Sequence, residues 1–163
     1  MSKTQIEVTD LVKQISASLG GDGLEFLQNA MDYVNHKIKR KKYDKDVVEE
    51  ERKVRWKRTA HQILKDDYVY GQKGCTDLVI TFQALCEAKG YKTNFVKVKG
   101  KEGKQIHSIA EVKLGKDWFK VDVAGKAGVK KEKLQKSEVF GIWHFWMRGR
   151  DAWDLGFTSF DSI

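Results

Sequence analysis

The hydrophobic period of the chain changes once, near Gly90, and no other feature restricts the possible folds as much. Before that point apolar residues recur every three or four positions. Val8, Leu11, Val12, Ile15 and Leu19 form one helical stripe that stops at Gly20-Gly21. Leu24, Leu27, Met31, Val34 and Ile38 form a second, after Asp22, a side chain suited to an N-cap. A third helix is expected from Asp44 or Asp46, carrying Trp56, Ala60, Ile63 and Leu64 on its later face, with its charge-dense middle at 49–58 turned to solvent. A fourth is predicted from Cys75 to Lys89, ended by Gly90. Beyond Gly90 the segments are short and rich in β-branched and aromatic residues, predicting strands at 93–98, 106–114, 118–123 and 138–147. Helices first and strands afterwards imply an α+β domain with the helices packed on an antiparallel sheet. At 163 residues the chain suits one core, so 1–163 reads as a single domain.

Charge and composition exclude several functional classes. The net charge is +8, and much of the excess lies at 37–45, where Lys37, Lys39, Arg40, Lys41, Lys42 and Lys45 surround Tyr43. Nucleic acid would account for such a run, but no aromatic-interleaved platform or groove-reading motif accompanies it. The simpler expectation is a solvated helix end whose cations suit the negative end of the helix dipole. No apolar run is long enough to cross a bilayer, and Met1 to Gln5 do not open a signal peptide, so a cytoplasmic protein is expected. Cys75 and Cys86 are eleven residues apart; on one helix that is roughly 16 Å, too far for a disulfide. Their spacing is not that of a metal site, and no cofactor motif is present, so neither metal nor cofactor is expected. Oligomeric state is not legible.

Chemistry concentrates at Gly74-Cys75-Thr76-Asp77. A thiol in the first turn of a helix faces unsatisfied N–H groups and the positive end of the dipole, both of which favour the thiolate. The same N–H groups can hold an oxyanion that forms on a substrate carbonyl. Asp77 suits a capping position, although its charge opposes a thiolate, so a partner base is needed. His107 and Asp122 flank a hairpin turning at Gly115-Lys116. With a two-residue loop Leu114 pairs with Asp117, His107 falls opposite Ala124, and Asp122 falls opposite Ile109, one diagonal step from His107 on the same face. A slip of one residue would separate them. In that register Asp122 orients the imidazole and supports its charged form, while His107 serves as base for Cys75. Cys86, mid-helix on the apolar stripe, is expected to be buried and inert.

Several of these elements together resemble a known superfamily. Gly74-Cys75-Thr76-Asp77 is followed by Phe82-x-Ala84-Leu85-x-x-Ala88-Lys89-Gly90, a loop-bounded His107, and Glu111-Val112-x-Leu114-Gly115-Lys116-x-Trp118-x-x-Val121-Asp122. Upstream stand Arg58-Thr59-Ala60-x-x-Ile63-Leu64 and Tyr68-Val69, and near the end Gly149-Arg150-Asp151-Ala152-Trp153-Asp154-Leu155-Gly156. In order and spacing this resembles the transglutaminase-like superfamily of papain-like cysteine acyl-transfer enzymes, in its small prokaryotic form. The likeness covers about residues 54–160 and leaves 1–53 without a counterpart. It implies a papain-like core with the nucleophile opening a central helix, and Cys75, His107 and Asp122 as catalytic residues. The implied substrate is a peptide or protein amide. Where such proteins often carry Pro, after the acidic residue and near the end of the nucleophile helix, this chain has Val123-Ala124 and Gly90-Tyr91-Lys92. Gln72 is the nearest amide to serve as a second oxyanion donor.

The implied chemistry is covalent, through a thioester resolved by water or by an amine. A peptidase, an amidase or deamidase, and a transglutaminase all fit. A catalytically silent peptide- or protein-binding module on the same fold is the alternative. Other candidates have plainer readings. His36 and His61 lie on charged helical stretches and are expected to be exposed. His144, among Trp143, Phe145 and Trp146, reads as a packed or edge-strand residue and would replace His107 if that ring faced away. Trp143, Trp146 and Trp153 suit a small core or, less simply, an aromatic wall for substrate. Asp151 and Asp154 are expected to brace the C-terminal turn.

Overall fold

The computed structural model describes residues 3–131 and 138–162. Two helices come first, α1 (Asp10–Leu19) and α2 (Leu24–His36). A short strand β1 (Lys39–Lys41), two short helices α3 (Val48–Val54) and α4 (Ala60–Asp66), and a second short strand β2 (Tyr68–Tyr70) follow. The central helix α5 (Cys75–Lys89) then leads into six strands: β3 (Thr93–Gly100), β4 (Ile106–Leu114), β5 (Asp117–Asp122), β6 (Gly128–Lys131), β7 (Glu138–Val139) and β8 (Trp143–Gly149). These strands form an antiparallel sheet in the order β6-β5-β4-β3-β8-β7. The architecture is α+β, with the N-terminal helices and α5 on one side of the sheet.

Helix α5 is central because it is apolar nearly all round. Leu78, Val79, Ile80, Phe82, Ala84, Leu85 and Cys86 are each at most 1% exposed. A helix with no solvent face must be enclosed, and α5 lies between α1, α2 and α4 on one side and β3 and β4 on the other. It ends as expected, with Gly90 in the left-handed region at φ +103° and Tyr91 N–H bonded to the Cys86 carbonyl at 3.0 Å. Beneath it the sheet presents Phe95, Ala110, Val112 and Val121. The opposite side of the sheet holds a smaller cluster of Val96, Val98, Ile109 and Val139, extended by Phe140, Trp143 and Phe145.

Four local expectations need correction. The basic run at 37–45 is not a helix end: α2 stops at His36, and Lys39–Lys41 form an exposed strand parallel to Tyr68–Tyr70. Continuing the helix would stack Lys37 on Lys41 at an unfavourable i,i+4 spacing, whereas in β1 the Lys41 ammonium sits 3.7 Å from the Tyr68 ring centroid. Asp22 caps nothing; Gly23 holds the N-cap position, and Asp22 pairs with Lys89 at 3.0 Å. The third helix breaks into α3 and α4 at Trp56, a non-glycine residue at φ +60°. The cause is tertiary. The Trp56 carbonyl accepts from Trp153 Nε1 at 2.6 Å and Gln5 Nε2 at 3.3 Å, and the Arg58 carbonyl accepts from Gln5 Nε2 at 3.0 Å. Its middle is accordingly not all solvent-facing, since Glu51 and Arg58 are buried. Last, the strand expected at 138–147 is two strands around a tight turn, with Phe140 at φ +57° and Gly141 at φ +69°.

Candidate active site

Strand β2 delivers the chain to the nucleophile position. The loop 71–74 leaves Tyr70 and turns back so tightly that a Cβ on Gly74 would lie 3.0 Å from the Tyr70 carbonyl and 3.1 Å from the Val69 side chain. Helix α5 starts at the next residue, with Leu78 N–H bonded to the Gly74 carbonyl at 2.9 Å. Cys75 therefore occupies the first helical position, half-buried, where the N–H groups of the first turn have no intrahelical acceptor. Cys86 is fully buried, and burial pushes its thiol well above the ordinary range, with the Glu87 carboxylate adding to the effect. Both cysteines are free.

The β4–β5 hairpin pairs Leu114 with Asp117, Val112 with Phe119 and Ala110 with Val121. This is the register of a two-residue turn at Gly115-Lys116, and Gly115 takes φ +64°. Continued by one step, it sets Asp122 against Ile109 and diagonal to His107. The two side chains meet, with His107 Nε2 2.6 Å from Asp122 Oδ1. An ionised carboxylate only accepts, so Nε2 carries the proton and Nδ1 is the ring nitrogen left to act on the Cys75 thiol, which the imidazole lowers. Asp122 is held in turn by Ala127 N–H, which donates to Oδ2 at 3.1 Å. The segment 123–127 wraps so closely that a Cβ on Gly125 would fall 2.1 Å from Asp122 Oδ2. Trp143 of β8 stacks on the His107 ring, with centroids 5.1 Å apart and planes 21° from parallel.

Electrostatics matches the geometry. Burial alone would push the Cys75 thiol up, but the His107 hydrogen bond, the Lys97 ammonium and the Ser108 hydroxyl outweigh it and bring the thiol down to about 7. For His107, burial works against the imidazolium, but the bonds to Asp122 and Cys75 lift the ring to about 9. The two shifts, thiol down and imidazole up, both run in the direction that favours a thiolate–imidazolium pair. Asp77 is not a cap. It forms a buried ion pair with Arg58, Nη2 to Oδ2 2.9 Å, so its charge is answered by a guanidinium rather than set against the thiolate. Burial holds the Asp77 carboxyl above its ordinary value, opposed by the Arg58 guanidinium.

The cleft beside the thiol is a cavity of about 200 Å³ lined by Arg55, Trp56, Gln72, Lys73, Cys75, Thr76, Lys97 and Ile106. Gln72 is there, exposed in the loop at φ +68°. Sequence reasoning missed Lys97, Ser108 and Thr76. Thr76 and Ser108 hydroxyls lie 2.9 Å apart, and Lys97 Nζ donates to Thr76 Oγ1 at 3.2 Å. Strand alternation sets Lys97 on the face opposite Val96 and Val98, where it pairs with Ser108, but gives no sign that this face meets the start of α5. A second hollow of about 490 Å³, lined by residues that include Lys101, Gln105, Ile142 and Trp143, opens on the β3–β4 loop.

The remaining candidates lie elsewhere. His36 and His144 are exposed, whereas His61 is half-buried, its Nδ1 2.8 Å from Thr9 Oγ1. Trp146 packs against the main core, and Trp153 donates to the Trp56 carbonyl. Asp151 Oδ1 accepts from Asp154 N–H at 2.8 Å, and Asp154 Oδ2 accepts from Arg150 N–H at 2.9 Å, so both brace the C-terminal turn. Among the described residues no cluster of His, Cys, Asp and Glu could hold a metal ion, and no helix is long and apolar enough to cross a membrane.

The sequence matches no protein-family model and no curated protein. The fold does have a counterpart among solved structures, a "putative cysteine protease" from Cytophaga hutchinsonii, with a TM-score of 0.63 at 12% identity. The likeness takes in 94% of this chain and 48% of that one, so the chain spans about half the length of the protein it resembles. At that identity the likeness is one of fold: this chain has an α+β fold similar to that of the Cytophaga hutchinsonii protein.

Proposed function

We propose that the protein is a cysteine acyl-transfer enzyme of the transglutaminase-like superfamily, acting on peptide or protein amides. One observation carries the reading: His107 Nε2 lies 2.6 Å from Asp122 Oδ1, and the same imidazole acts on the Cys75 thiol at the helix start, lowering the thiol while its own ring is raised. In this role the Cys75 thiolate attacks the amide carbonyl, and the α5 N–H groups, with Gln72 as second donor, hold the oxyanion. The C–N bond breaks as the His107 imidazolium passes its proton to the leaving amine. The neutral thioester is then resolved by water or by an amine that His107, now neutral, deprotonates. Asp122 keeps the proton on Nε2 and steadies the imidazolium. A binding module would need none of this charge arrangement.

The test is intact mass after incubation with a library of glutaminyl, asparaginyl and simple peptide amides. An acyl adduct on Cys75, absent in Cys75→Ala and released by hydroxylamine, supports the assignment and identifies the acyl group. No adduct and no turnover across the library would count against it.

A further inference from the structure

Lys97 helps to lower the Cys75 thiol, but the steps of the acyl-transfer scheme give it no part once that thiolate is consumed. It is 2% exposed and yet lines the cleft with Cys75. A buried ammonium is costly unless a negative charge answers it, and among the described residues no carboxylate pairs with Lys97. Its neighbours are the Thr76 hydroxyl at 3.2 Å and the rings of Phe157, Trp56 and Phe95, 5.1, 5.6 and 5.8 Å from Nζ. Burial lowers its amine, and the Cys75 thiolate opposes that shift. The remaining cations of the cleft differ: Arg55 is bonded through Nε and Nη2 to the Glu51 carboxylate, while Lys73 is exposed. No acidic residue lines this cavity.

The reaction disturbs that balance. When the thiolate attacks, the S–C bond forms and the C–N bond breaks. The imidazolium proton leaves with the amine, and the sulfur ends in an uncharged thioester. Both the thiolate and the imidazolium charge are then gone, while Lys97 remains in place without a counter-ion. We propose that the site is selective for acyl donors bearing a negative charge, a carboxylate or similar group, close to the reacting carbonyl, and that Lys97 is the residue that reads it. This rests on the acyl-transfer reading above and deepens it to a substrate class. An anionic donor restores at the acyl-enzyme stage the negative charge that the thiolate gave up.

Two reagents that perform the same substitution at sulfur separate charge from reactivity. Iodoacetate leaves an anionic carboxymethyl group on Cys75, iodoacetamide a neutral carbamidomethyl group, and each releases iodide. At pH 6 and low salt the ratio of iodoacetate to iodoacetamide rate constants should be on the order of tenfold higher in wild type than in Lys97→Met. Lys97→Arg should keep the wild-type ratio. A ratio unchanged in Lys97→Met, with both reagents still faster than on free cysteine, overturns the Lys97 assignment and leaves the enzyme reading intact. Labelling no faster than free cysteine with either reagent overturns both. Should Lys97→Met fail to fold, the wild-type adducts decide the matter through the NMR titration of the Lys97 side chain. Its amine should titrate lower in the neutral adduct than in the anionic one, and identical titrations would refute the proposal.

Discussion

At the residue scale the thiol of Cys75 depends on groups it does not share a chain segment with. His107 is 32 positions away, Lys97 22 and Ser108 33, and each is brought to the start of α5 by the sheet. Removing one of them should move the thiol in a stated direction. His107→Ala deletes the strongest opposing influence to burial, so Cys75 should titrate well above 7, and alkylation at pH 6 should fall by at least tenfold. Asp122→Asn keeps an acceptor near Nε2 but removes its charge. The imidazole should then fall from about 9 toward its ordinary value near 6.5, which the pH dependence of its ring-proton NMR signal would report. An imidazole unmoved by Asp122→Asn would mean that the carboxylate does not support the charged ring.

At the scale of elements the turn after β5 does the work of holding Asp122. Gly125 has ordinary φ, so conformational freedom is not the reason for a glycine there; space is. Any Cβ would clash with the Asp122 carboxylate, 2.1 Å from Oδ2 and 2.5 Å from Oδ1. Gly125→Ala should force the carboxylate off His107 and cost about 1–3 kcal/mol of stability, the usual range for overpacking, as measured by urea unfolding. Cys75 alkylation at pH 6 should slow in the same variant; an unchanged rate would show that the carboxylate has room to move. The hairpin register was legible because Gly115 beside Lys116 marks a two-residue turn, and one count forward places His107 and Asp122 on one face. Lys97 escaped because strand alternation says which residues share a face but not what covers them. The break between α3 and α4 escaped for a related reason: Gln5 and Trp153, far away in sequence, take the carbonyls a continuous helix would have used.

Across the whole molecule the two ends of the chain are fastened to each other. Asp151 Oδ2 accepts from Thr4 Oγ1 at 2.7 Å and Gln5 N–H at 2.8 Å, and the Gln5 carbonyl accepts from Ala60 N–H at 2.7 Å. Asp151→Ala removes three charge-assisted acceptor contacts and should cost about 3 kcal/mol in urea unfolding while leaving the Cys75 titration of the folded protein unchanged. A shifted thiol titration would instead tie this clasp to the site. The succession of a helical first half and a stranded second half was readable from periodicity alone. The small strands β1, β2 and β6 were not, because three or four residues carry too little pattern to stand out. The central claim is that this assembly makes a thiolate at neutral pH, and the rate of Cys75 alkylation by iodoacetamide between pH 5.5 and 10 measures it. The account predicts a single rise centred near pH 7 with a plateau above it, Cys86 remaining unlabelled. A rise centred near 8.5, where an ordinary cysteine titrates, would contradict it.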